Sequence, residues 1–88
     1  MRRRERWDIL GSLLALLSDD AAQAEGVAPT RIAQRANLPY DRFVSYLDEL
    51  RAGGLVSGDD RLVLTEKGEA LLRSWRQWET VLQRFGLD

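Results

Sequence analysis

The chain has no cysteine and no histidine, only two prolines, and a single lysine, Lys67, among its thirteen basic residues. Without cysteine there is no disulfide framework and no thiolate metal site, and without histidine the commonest metal ligand and general base is missing. Long apolar runs are absent as well. The longest, Leu13 to Leu17, falls far short of the roughly 20 residues that cross a bilayer. The start, Met1-Arg2-Arg3-Arg4, leads into a segment carrying Glu5 and Asp8, not into the apolar stretch of a signal peptide. No glycine-rich phosphate loop is present, and the acidic pairs Asp19-Asp20 and Asp59-Asp60 are loop neighbours that usually point apart. These absences predict a soluble cytoplasmic protein with no catalytic centre, no cofactor, no metal and no small-molecule ligand.

What remains is a chain of 88 residues, the size of one small domain, residues 1–88. A core of that size is marginal alone, so association is a common source of further stability. Lys+Arg 13 against Asp+Glu 14 leaves a net charge of −1, which is not the bulk charge of a non-specific nucleic-acid coat. The distribution is less even than the sum: Arg2, Arg3, Arg4 and Arg6 crowd the first six residues, opposed only by Glu5.

From Arg3 to about Ser18 the spacing is helical. Trp7, Leu10, Leu14 and Leu17 form one stripe, and Ile9, Leu13 and Leu16 form a second beside it. So wide an apolar face implies cover on two sides, either within the domain or with a partner chain on one of them. Residues 19–28, DDAAQAEGVA, read as a loop. Pro29 suits a first helical position, and the short helix it opens runs to about Ala36. Asn37 can take the left-handed conformation that stops a helix, Leu38 plugs the turn, and Pro39 permits a new start. A second helix from Tyr40 to Ala52 ends at Gly53-Gly54. Two short apolar runs, Leu55 to Ser57 and Arg61 to Thr65, flank a Gly-Asp turn and predict a β-hairpin, with Leu62 and Leu64 on one face. Thr65 caps a final helix that reaches about Phe85, with Gly86 as its stop.

Two helices across a three- or four-residue turn, followed at once by a hairpin, make a winged helix-turn-helix unit. The expected fold is α+β, mostly α, with a two-stranded wing and a long C-terminal helix. The residues Thr30-Arg31-Ile32-Ala33, Arg35-Ala36-Asn37-Leu38, Arg42-Phe43, Tyr46-Leu47, Leu50, Gly54-Leu55 and Leu64-Thr65-Glu66-Lys67-Gly68 resemble the archaeal winged-helix DNA-binding proteins. That family includes small chromatin-type members that dimerise through a long C-terminal helix. The resemblance spans about residues 5 to 85 and implies a homodimer, DNA contacts from the second helix and the hairpin, and no catalysis.

At about 100° per residue, Phe43, Leu47 and Leu50 share a narrow buried arc of the second helix. The opposite arc carries Asp41, Ser45, Asp48, Glu49 and Ala52, with Arg42 at its flank. Three carboxylates there oppose the phosphate field that usually dominates affinity for DNA. The candidate contacts to double-stranded DNA therefore lie around them: Arg31, Arg35, Tyr40, Arg42, Ser45 and Arg61, with Arg2 to Arg6 as a possible non-specific arm. In the last helix Leu71, Trp75, Trp78, Leu82 and Phe85 are spaced four, three, four and three apart, the pattern of a coiled-coil seam. With Trp7 of the first helix they are the candidate homodimer interface. The expected function is a dimeric DNA-binding protein, either a transcriptional regulator or a nucleoid-associated chromatin-type component. The alternative is a winged-helix protein–protein interaction module whose acidic second helix faces a protein and makes no direct contact with DNA.

Overall fold

Leucines at three- and four-residue spacing give the first helix one apolar side, and Leu10, Leu13, Leu14 and Leu17 are all buried. The computed structural model describes residues 6–20 and 26–87. In chain order these form α1 (Arg6–Asp20), α2 (Pro29–Arg35), α3 (Tyr40–Ala52), β1 (Val56–Ser57), β2 (Val63–Leu64) and α4 (Glu66–Arg84). The expected helix start at Arg3, residues 2–5 of the basic arm Arg2 to Arg6 and loop residues 21–25 lie outside the described residues, while Arg6 opens α1. Ile9 and Leu16 border the buried stripe of α1. Trp7 departs from it: the indole is 60 % exposed, and the Arg6 guanidinium lies 5.1 Å from its ring centroid.

One expectation needs correcting. Residues 19–28 are not loop throughout, because α1 continues to Asp20 and Val27 joins the sheet. The Val27 N–H donates to the Leu62 carbonyl at 3.0 Å, and the Leu62 N–H donates back at 2.7 Å. Val27 is buried, so this bridge adds a third, one-residue edge to the hairpin. A lone valine among small polar residues has no periodicity to betray it. Gly26 enters this pairing at φ +85°, where a Cβ would stand 2.8 Å from the Leu62 carbonyl oxygen.

The three later helix ends are built alike. After α2, the Asn37 N–H donates to Gln34 and the Leu38 N–H reaches back to Ala33, with Asn37 at φ 58°. After α3, Gly54 donates to Arg51 and Leu55 to Leu50, and Gly54 supplies the positive φ. After α4, Gly86 donates to Gln83 and Leu87 to Leu82. Each is a Schellman closure, which satisfies carbonyls that a helix end would otherwise leave unpaired.

The hairpin is antiparallel, pairing Val56 with Leu64 and Ser57 with Val63. Its ladder is shorter than the apolar runs suggested, but its facing is as expected: Leu62 and Leu64 are buried, while Arg61 and Val63 are exposed. At the base of the wing the Thr65 hydroxyl accepts from the Gly68 N–H at 3.0 Å, capping α4, and donates to the Gly54 carbonyl at 2.7 Å. Gly68 occupies the third helical position, where a glutamate often completes a capping box. Here no side chain fits, because a Cβ would come within 2.2 Å of the Leu55 carbonyl oxygen. The same carbonyl accepts from the Thr65 N–H at 3.1 Å. Further along, Leu72 is buried and Trp75 packs on the core over Gly11 of α1.

Gly68→Ala is therefore expected to destabilise the fold by about 1–3 kcal/mol through overpacking against backbone. This outweighs the roughly 1 kcal/mol that alanine gains over glycine within a helix. Urea denaturation measures the difference, and a variant as stable as the parent would contradict the close approach.

Candidate nucleic-acid interface

The apolar side of α3 decides which of its residues face outward. Phe43, Leu47 and Leu50 are buried, so the far side presents Asp41, Arg42, Ser45, Asp48 and Ala52, all exposed. The turn from Ala36 to Pro39 sets the angle between α2 and α3. Ala36 ends α2, Asn37 reverses the chain, Leu38 is half-buried beneath the turn, and Pro39 is the residue before the first turn of α3.

Of the six proposed DNA contacts, all are exposed, and three share α3. Tyr40 is half-exposed at the start of the helix, its ring centroid 5.8 Å from that of Phe43. Arg42 Nη2 donates to the Tyr46 hydroxyl at 3.2 Å, and its guanidinium lies 5.9 Å from the Tyr46 ring centroid. That contact holds Arg42 along the outward side, with donors left over for a phosphate or a base edge. The Ser45 hydroxyl is 3.4 Å from the Asp41 carbonyl, one turn back, at the long limit for such a bond. Arg31 and Arg35 are exposed on α2, and Arg61 is exposed on the outward side of the wing.

The acidic character of the outward face is smaller than the helix alone suggests. Glu49 is paired with Arg6, whose Nε donates to its Oε1 at 2.9 Å and whose Nη2 donates to the same oxygen. The carboxylate thus meets the first turn of α1, and Asp41 and Asp48 remain as the exposed acids of the face. Asp41 lies in the first turn of α3, where the helix dipole favours it. Asp48 stands 4.0 Å from Arg51 Nη1.

Arg51 was not among the expected site residues. Its Nη2 donates to the Gly58 carbonyl at 2.7 Å and lies 3.9 Å from Asp59 at the wing tip. An arginine one turn after an aspartate is visible in the sequence, but its reach across to the wing is not. Asp60 joins Asp59 at the exposed tip. Among the described residues no buried side chain is polar or charged, and no group of acids is placed to hold a metal ion.

The proposed dimer residues of α4 fall into two sets. Trp75 and Leu82 are half-buried, Trp75 against its own core, whereas Leu71, Trp78 and Phe85 are exposed. The exposed three are seven residues apart, and Ser74 and Val81 lie between them on the same side. The free strip is thus turned away from the full seam read from spacing, because α4 spends its other edge on α1.

The family model described as a winged helix-turn-helix matches residues 3–83, nearly the whole chain. Among curated proteins and among solved structures, nothing matches. No helix of the described residues is long and apolar enough to cross a membrane.

The Arg6–Glu49 pair joins two side chains that are 58 % and 38 % exposed. A double-mutant cycle with Arg6→Ala and Glu49→Ala is expected to give a coupling of only about 0.2–1 kcal/mol, shrinking as salt is added. Stability measured in urea at two ionic strengths checks this. A coupling well above that range, insensitive to salt, would contradict it.

Proposed function

The chain belongs to the winged helix-turn-helix family, and from that premise we propose that it is a homodimeric protein binding duplex DNA as a transcriptional regulator or chromatin-type component. The observation that carries this reading is the outward side of α3, which presents Arg42 and Ser45 while Phe43, Leu47 and Leu50 anchor its back. A helix held in that way, with a wing beside it, fits the major groove by its second helix and the backbone by its hairpin. Arg31, Arg35 and Tyr40 approach phosphates from the rim, and Arg61 does so from the wing. The protein works in the cytoplasm on the nucleoid and uses no cofactor and no catalytic step.

Electrostatics set the strength of this binding. The phosphate field favours the arginines and opposes Asp41 and Asp48, so binding is salt-sensitive and modest at moderate salt. Those same two carboxylates favour the competing reading, an interaction module whose second helix meets a protein. Carboxylates in a groove accept from cytosine N4, but on a protein partner they need only basic side chains.

Dimerisation rests on the exposed strip of α4. Trp78 is 59 % and Phe85 is 69 % exposed, with Leu71 one heptad earlier. Aromatic area of that size on one helix face is costly to leave in water and is covered by a second copy. Repeated every seven residues, it suits helix-to-helix packing. Trp7, also exposed, adds the first helix to this interface, and two reading helices then meet two half-sites.

Fluorescence anisotropy with random and defined duplexes at low and moderate salt tests the first reading. Arg42→Ala and Arg35→Ala should each weaken binding and reduce the salt slope by about one phosphate contact. Asp41→Asn should strengthen it a few-fold, roughly the effect of removing one repelling charge. No binding of any duplex at low salt would overturn the DNA reading in favour of the interaction module.

Sedimentation tests the second. Trp78→Ala combined with Phe85→Ala should give a folded monomer, because neither ring supports its own core. A parent protein that is monomeric at tens of micromolar would overturn the dimer.

A further inference from the structure

The wing has little of its own to hold it. Its ladder is two residue pairs long, and a two-stranded hairpin of that length is not stable by itself in water. At the inner end it is secured by the Val27 bridge and by Leu62 and Leu64 in the core. The outer end, Gly58 to Arg61, is exposed. Across that gap reaches Arg51, from the last turn of α3. Its Nη2 donates to the Gly58 carbonyl at 2.7 Å, Asp59 is 3.9 Å from the same nitrogen, and Asp48 is 4.0 Å from Nη1. Its Nε is shielded from solvent and has no acceptor, so the head sits between helix end and wing instead of extending into water.

Gly58 connects this contact to the wing's own cation. It turns at φ +97°, and a Cβ there would lie 1.9 Å from the Arg61 carbonyl oxygen. The backbones of Gly58 and Arg61 are thus in direct apposition, and a hold on Gly58 limits where the Arg61 backbone can move. We infer that Arg51 is a positioning residue that locks the wing tip to the end of α3, so that Arg61 and the Arg42–Ser45 face form one rigid surface. The planar guanidinium suits the task, because it donates to a carbonyl while facing two carboxylates, which a point-like ammonium does less well. With its donors directed at the wing and at Asp48, Arg51 orders the surface without serving as a contact on it.

The consequence for DNA rests on the reading given above, but the tether itself does not, and two measurements keep them apart. The first uses the free protein. Arg51→Met keeps the stem and removes the donors. Amide exchange at Ser57 and Val63, the outer pair of the wing ladder, should then accelerate by about tenfold or more, while the buried turns of α1 and α3 keep the parent's rates. Arg51→Lys should restore part of the protection. Wing exchange at the parent's rate in both variants would overturn the tether.

The second is a binding cycle on duplex DNA. Arg51→Met should weaken binding about as much as Arg61→Ala does, and the two together should lose no more than the larger single loss. Combined with Arg42→Ala, its loss should instead multiply. Losses that multiply with both would make Arg51 a contact in its own right and overturn the positioning role. A parent protein that binds no duplex would overturn the functional reading, while amide exchange would still decide the tether.

Discussion

The geometry of this protein depends on a single crowded crossing, where the end of α3, the start of the wing and the start of α4 meet around the Leu55 carbonyl. Leu55 closes α3 through its N–H to Leu50, and its carbonyl accepts from Thr65. Gly68 lies so close to that oxygen that any side chain would collide. Thr65 ties the crossing from the other side, capping α4 and bonding the Gly54 carbonyl with one hydroxyl. Because α3, the wing and α4 all meet at this point, their mutual angles are set by backbone contact. Backbone contacts tolerate less adjustment than side-chain packing does.

Around this frame the charges are arranged to limit one another. A helix considered alone would turn Asp41, Asp48 and Glu49 outward together. Folding brings Arg6 to Glu49 across 43 residues and Arg51 to Asp59 at the wing tip, while Asp48 meets Arg51 one turn along the same helix. Each exposed pair contributes little to stability. Their effect is on the field at the surface, where Glu49 is answered from α1 and Asp48 from its own helix, and Asp41 and Asp48 remain the exposed acids of the outward face. Such a surface suits an encounter governed by salt more than one of high intrinsic affinity.

α4 divides its apolar residues between two tasks. Leu72 and Trp75 complete the core, the indole resting where Gly11 leaves room on α1. Leu71, Trp78 and Phe85 are left outside. A helix of 19 residues is about 28 Å long, more than a domain this small covers along its whole length. The division explains why one strip of mixed spacing looked like a single seam: the two edges are adjacent, and periodicity sums them.

Most of the fold could be read from the chain, since its signals are local. Pro29, Asn37, Gly54, Thr65 and Gly86 mark helix boundaries through their own backbone preferences, and leucine spacing marks the buried sides. The winged helix-turn-helix order and the outward set on α3 follow from these. Interactions between elements could not be read in the same way. Val27 pairs with Leu62 and Arg6 with Glu49 only because the fold brings distant segments together, and Arg51 reaches Gly58, seven residues on, only because the chain turns back into the wing. The turning of α4 that half-buries Trp75 and exposes Trp78 likewise depends on a glycine sixty-four positions earlier in the chain. By itself the sequence determined where helices start, stop and turn their apolar sides, because those choices rest on the dihedral and side-chain preferences of neighbouring residues. Tertiary structure alone decided which charges are answered and which aromatic rings remain in water, because both depend on distances between residues far apart in the chain.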